Sequence, residues 1–285
     1  MKLALLQTSY KPVAGVVVGD SVVNLQGATI WNGTPLDLIV AGGSTVRKVT
    51  EQVAAGNLPA QSMIPLEAAQ FKAPIPRPGK VVVIGLNYRD HAAEGGLAAP
   101  EQPVVFAKYP TAVIGHGDAI RTRPEISQCV DYEAELAVVV GREAKDVPVG
   151  EALNYVFGYM CSTDVSARDI ENQGQWMYPK SFDTFAPMGP WIVTADELPD
   201  PQALDIVGRL NGREMQRSNT REMIFSVAEL IAYVSRGITL LPGDVIMTGT
   251  PAGVGMSRTP PVWLKPGDVF EVEIAGIGTL RNPVV

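Results

Sequence analysis

Apolar residues along the chain come in short runs broken by glycine and proline, and the longer 3.6-residue periodicity of amphipathic helices is the exception. Leu3 to Leu6, Ala14 to Val18 and Val22 to Leu25 read as strands, the last two joined by a Gly19-Asp20 turn, and Thr45 to Ala54 reads as a helix. Then comes Phe71-Lys72-Ala73-Pro74-Ile75-Pro76-Arg77-Pro78-Gly79-Lys80, where each proline fixes φ and removes a backbone donor, so neither helix nor central strand continues. This spacing predicts a small N-terminal β-rich domain over 1–70 and a main domain over 71–285. From Val81 onward valine- and isoleucine-rich runs alternate with turns, predicting an extensive sheet and a mixed α/β, predominantly β, fold. Pro242-Gly243-Asp244 before Val245-Ile246-Met247 recurs as Pro266-Gly267-Asp268 before Val269-Phe270-Glu271-Val272, as type II turns would. Both read as the starts of hairpins. A short helix is expected at Glu151 to Val156. The clearest helix covers Val227 to Ser235, with Ser226 and Glu229 spaced as a capping box and Gly237 as the stop.

Composition narrows the class. At 285 residues, 46% hydrophobic and 19% charged, the chain can bury a large core without disulfides. Its net charge of -7 argues against nucleic acid or an anionic membrane as partner. Cys129 and Cys161 are too few and too far apart for a zinc motif and read as free thiols. The N-terminal apolar run is short for a signal peptide and no stretch of about 20 apolar residues exists, so a cytoplasmic enzyme is expected.

Candidate chemistry begins at Val130-Asp131-Tyr132-Glu133-Ala134-Glu135, which runs directly into Leu136 to Val140. A strand period of two puts Glu133 and Glu135 on one face, and the apolar continuation points into the core. Two carboxylates there are solvated on an edge strand, neutralised by protonation or cationic side chains, or joined by a shared cation, which from oxygen ligands would be magnesium, manganese or calcium. Asp164, at a later strand-to-loop transition, is either a turn residue or a third ligand. In Asn87-Tyr88-Arg89-Asp90-His91-Ala92-Ala93-Glu94, a helix would set His91 and Glu94 one turn apart, as a surface pair or as a general base with its orienting carboxylate.

Asp131-Tyr132-Glu133-Ala134-Glu135, then Asp164-Val165-Ser166-Ala167-Arg168-Asp169, then Lys180-Ser181-Phe182-Asp183-Thr184-Phe185, then Thr248-Gly249-Thr250-Pro251-Ala252-Gly253-Val254-Gly255 closely resemble, in order and spacing, the fumarylacetoacetate hydrolase family. The likeness covers roughly Lys80 to Arg281. It implies a β-rich roll, usually a homodimer, with Glu133, Glu135 and Asp164 on a divalent metal. It also implies a His91-Glu94 pair on a mobile lid that activates water, and Lys180 stabilising negative charge. Thr250 would hold a substrate carboxylate through its hydroxyl and nearby backbone amides, with Lys108, Arg168 and Gln175 as further substrate contacts. Without that likeness, Arg168 reads as a surface partner of Asp169 or Glu171. The activity expected is hydrolysis of a carbon-carbon bond in an acylpyruvate or other 2,4-diketo acid. The alternatives are decarboxylation of an oxaloacetate-like acid, keto-enol isomerisation of a dienoate, or a non-catalytic metal-binding role. The chain departs from the family pattern at Tyr109, at Tyr178-Pro179 and at Gly115-His116-Gly117, where His116 is read as a turn residue.

Overall fold

The structure is a computed structural model in which residues 1–170 and 175–285 are described. Twelve strands form one sheet, whose main path runs Met63–Pro65, Ser21–Asn24, Val13–Val18, Lys2–Leu6, Ala186–Thr194, Val156–Thr163, Ala134–Val140, Val245–Met247, Val81–Gly85 and Val104–Lys108. The N-terminal strands and the main part of the chain therefore share a sheet, joined where Lys2 and Leu3 pair with Val193 and Ile192. A four-stranded antiparallel sheet, ordered Arg213–Asn219, Asp205–Leu210, Val269–Ile274 and Gly278–Pro283, packs beside it.

The unbroken apolar runs follow from burial on both faces of the central strands. Val82, Ile84, Leu136 and Val138 point into one core with Leu230, Ile231 and Phe270. Their neighbours Val81, Val83, Ala137 and Val139 point into another with Ile39, Met188 and Met247. Glu133 and Glu135 continue the second of these faces. The sheet is rolled: Lys108 lies on its last strand, yet its ammonium bonds Asp164. Flat, the four intervening spacings of about 4.8 Å would put that contact out of reach.

The helix Val227–Gly237 carries the expected Ser226–Glu229 capping box but runs two residues beyond Ser235, taking in Gly237 before Ile238 turns extended. In the N-terminal part, Gly43–Ala54 is helical as the spacing predicts, and a second helix, Pro35–Ala41, precedes it. Its signals were in the sequence: Thr34 caps it, Pro35 opens it, and Asp37 completes a capping box. The segment Val149–Tyr155 winds as a 3₁₀ helix. The two Pro-Gly-Asp turns have Gly243 at φ 88° and Gly267 at φ 95°, as type II turns need. The second opens the expected hairpin and the first does not. Val245–Met247 instead lies parallel to Val81–Gly85, and Val269–Ile274 pairs with Asp205–Leu210 and Gly278–Pro283. No helix among the described residues is long and apolar enough to cross a membrane.

Candidate metal centre and its lid

The parallel pairing aligns the ends of Val81–Gly85 and Val245–Met247, so the segments leaving them emerge side by side. One continues as the Gly-rich loop from Thr248. The other becomes the helix Arg89–Glu94. The acidic strand runs antiparallel to Val245–Met247, which brings Glu135 to the same end, where its Oε2 accepts the Gly249 N–H at 2.9 Å. A cavity of about 260 Å³ opens there, lined on its charged side by His91, Glu133, Glu135, Asp164, Arg168 and Lys180. Ile84, Leu97, Phe106, Trp176 and Met256 form an apolar wall.

The acidic strand is not continuous. It breaks at Tyr132-Glu133, between Val130–Asp131 and Ala134–Val140, while the Glu133 carbonyl accepts the Asp164 N–H at 2.9 Å and so continues the register that pairs Ala134 with Thr163. Glu133, Glu135 and Asp164, all buried, bring carboxylate oxygens within 4.8 Å of one another. A solvated edge strand is thereby ruled out. The Lys180 ammonium donates to Glu133 at 2.9 Å and to Asp164 at 2.7 Å, while Arg168 donates to Asp131 at 3.0 Å and also to Glu133. Arg168 thus pairs inward with Asp131 and Glu133. Asp169 instead accepts from Ser127 and the Gln128 N–H, and Glu171 lies outside the described residues.

These contacts separate two neighbouring glutamates. Burial works to raise the pKa of Glu133, but Lys180 and Arg168 more than offset it and hold the group well below the usual glutamate range. Burial raises Glu135, and the charges of Asp164 and Glu133 push it further up. The Gly249 N–H and the charge of Lys180 act in the other direction without cancelling that rise. Three converging buried carboxylates could hold a hard divalent cation, which takes oxygen ligands.

Other expected residues take different places. The helix Arg89–Glu94 sets His91 Nδ1 3.4 Å from Glu94 Oε2, and both Glu94 oxygens accept the Gly253 N–H at 3.0 Å. The Thr250 hydroxyl gives its single proton to Ala134 O at 2.9 Å and accepts from Gln216 at 2.8 Å, so only its backbone N–H is left for a ligand. Lys108 does not line the cavity; its ammonium is buried behind Asp164 and also donates to Val165 O at 3.1 Å. Burial lowers its pKa, opposed by Asp164. Gln175 is exposed and away from the cavity wall, as are Tyr109 and Tyr178. His116 sits in a turn, its Nδ1 accepting the Arg281 N–H at 3.2 Å.

Sequence reasoning assigned no role to Asp131, Gln216 or Trp176. Asp131 alternates with Glu133 and Glu135 and so carried a signal. Gln216 and Trp176 carried none, since each acquires its partners only through folding. The Trp176 ring meets Phe106 edge-on at 5.6 Å and fills the space that a side chain at Gly85 would need.

A chain with this roll and this acidic cluster belongs to the fumarylacetoacetate hydrolase family: residues 80–285 match Fumarylacetoacetate (FAA) hydrolase C-terminal. It is 44% identical over 272 residues to a mitochondrial oxaloacetate tautomerase of Rattus norvegicus, covering 94% of this chain and 85% of that protein. The crystal structure of 2-hydroxyhepta-2,4-diene-1,7-dioate isomerase from Mycobacterium marinum shares 34% identity at a TM-score of 0.78, with 100% and 98% of the chains covered. Maleylpyruvate hydrolase from Sphingobium sp. SYK-6, in complex with manganese(II) ion and pyruvate, shares 30% identity at a TM-score of 0.81, with 100% and 99% covered.

Proposed function

We propose that the protein is a divalent-metal-dependent enzyme that interconverts the keto and enol forms of a small oxaloacetate-like 2-oxo acid. The observation that carries this reading is the convergence of Glu133, Glu135 and Asp164 beside a cavity that also presents His91. Support also comes from the tautomerase and isomerase names among its relatives, which favour proton transfer over bond hydrolysis. Magnesium or manganese bound by the three carboxylates would polarise the 2-oxo group and acidify the neighbouring C3–H.

The chain's own residues do the rest. Arg168 and Lys180 offset the negative charge of the bound acid, and His91 takes the proton from C3 and passes it to the 2-oxo oxygen, or the reverse, with Glu94 orienting the ring through Nδ1. Tautomerisation needs no other bond to break. The apolar wall of Phe106, Trp176 and Met256 keeps water from competing.

A second reading, hydrolysis of an acylpyruvate, draws on the same His91–Glu94 pair, whose 3.4 Å contact equally suits deprotonation of a water. Oxaloacetate and acylpyruvates offered in deuterated buffer separate the two. Tautomerase activity appears as metal-dependent deuterium exchange at C3 with no new product. Stoichiometric pyruvate from the acylpyruvate, with exchange at the uncatalysed rate, would replace the first reading by the second.

A further inference from the structure

Asp131 belongs to the acidic strand but not to the triad. It is fully buried, and the cluster of three converging carboxylates does not include it. Its Oδ1 accepts the N–H groups of Tyr132 at 2.8 Å and Gly255 at 2.7 Å. Its Oδ2 accepts the Met256 N–H at 3.1 Å and Arg168 Nε at 3.0 Å. Two of these donors form the corner that places Met256 and Ser257 in the cavity wall, and a third is the guanidinium that also holds Glu133. The corner is shaped to this carboxylate: a Cβ at Gly255 would lie 2.5 Å from Asp131 Oδ1 and 1.9 Å from Val262 O.

A buried charge with a full set of donors is a costly way to fill space, because an apolar residue of similar volume avoids the desolvation. What the carboxylate adds is direction. We propose that Asp131 is a positioning residue that locks the Arg168 guanidinium and the Gly255-Met256 corner into one unit facing the anionic substrate. The proposal rests on the reading of this cavity as a 2-oxo acid site.

The test is a double-mutant cycle of Asp131→Asn and Arg168→Gln, read on three quantities: KM for oxaloacetate, affinity for oxalate with manganese present, and affinity for manganese alone. Asparagine keeps the shape but turns an amide NH₂ toward two donors. The expected result is a rise of about ten-fold in KM and in the oxalate Kd, with manganese affinity within about three-fold of wild type. In the Arg168→Gln background, Asp131→Asn should add less than about three-fold, since coupled residues are not additive. Additive effects, a parallel loss of manganese affinity, or no change would each overturn the proposal. If Asp131→Asn does not fold, Asp131→Ser, which leaves room for water to accept from Gly255 and Met256, takes its place. Unfolding of both variants would make Asp131 a folding residue and end the argument. Should wild type bind oxalate yet leave oxaloacetate untouched, the reaction proposed above fails, while the oxalate cycle still decides the role of Asp131.

Discussion

Glu133, Glu135 and Asp164 are 5% exposed or less, whereas His91 and Glu94 have side chains 15% and 23% exposed. The floor of the cavity is set by charges taken out of water, with Lys108, Lys180 and Arg168 distributed unequally among the acids. In the lid helix Arg89–Glu94 only Ala92 is buried, and hydrogen bonds tether the rest: Asp90 to Ser218 at 2.6 Å, Glu94 to the Gly253 N–H, and Arg89 to Met223 O at 2.9 Å. Electrostatics in a buried floor is strong and hard to adjust, while a few half-exposed hydrogen bonds can open and close. Metal affinity should therefore be a property of the floor and turnover a property of the lid.

Removing the floor carboxylate with the raised pKa gives the largest expected effect. Glu135→Gln should weaken manganese binding by about 100-fold or more and abolish metal-dependent turnover, measured by calorimetry and by C3 exchange. In the metal-free protein the same change should be stabilising. The folded-state pKa of Glu135 lies above the ordinary glutamate value of 4.5, so the folded form binds the extra proton and stability falls as pH rises from that value upward. Glu133 has the opposite sign: its folded pKa is depressed, so its contribution is present above 4.5 and is lost as pH falls below it. Thermal melts of metal-free Glu135→Gln should thus lose the decline in stability that wild type shows between mildly acid and neutral pH. A wild-type profile with no such decline would contradict the floor electrostatics.

On the lid, His91→Ala should lower turnover by about 10²–10⁴-fold while manganese affinity stays within about three-fold. A matching loss of metal affinity would mean that lid and floor are one unit. Glu94→Gln should cost less, because an amide still orients the ring and still accepts from Gly253.

The floor was legible in the sequence to the extent that it depends on strand period. Alternation placed Glu133 and Glu135 together and the motif order supplied Asp164, but nothing local announced the break at Tyr132-Glu133 or the bonds of Asp131 to Arg168 and the Gly255 corner. The lid pair was legible because helical spacing fixes His91 against Glu94. Its anchoring was not, since Ser218 and Gly253 lie more than a hundred residues away and meet the lid only after folding. Thr250 shows the limit of motif reading. Its side chain is present where the pattern requires it, yet Ala134 O and Gln216 claim the hydroxyl. Both type II turns were right in conformation; the second does begin a hairpin, Val269–Ile274 with Gly278–Pro283, while the first leads into a strand whose partners, Val81–Gly85 and Ala134–Val140, are distant in sequence.

The smallest expected effect tests the lid's anchoring rather than its chemistry. Ser218 lies on the strand Arg213–Asn219 and its hydroxyl donates to Asp90, so Ser218→Ala removes one tether and leaves His91 and the floor carboxylates in place. A hydrogen bond to a carboxylate of this kind is worth about 1.5 kcal/mol, and the Asp90 carboxylate keeps the His91 N–H at 2.8 Å and the weaker Ala252 N–H at 3.4 Å. The lid should open more often without leaving its seat. The expected outcome is a drop of about five-fold in kcat/KM, faster amide exchange over Arg89–Glu94, and unchanged manganese affinity and melting temperature. Faster exchange with undiminished turnover would show that closure of this helix does not limit the reaction, and the division of labour between floor and lid would then rest on His91 alone.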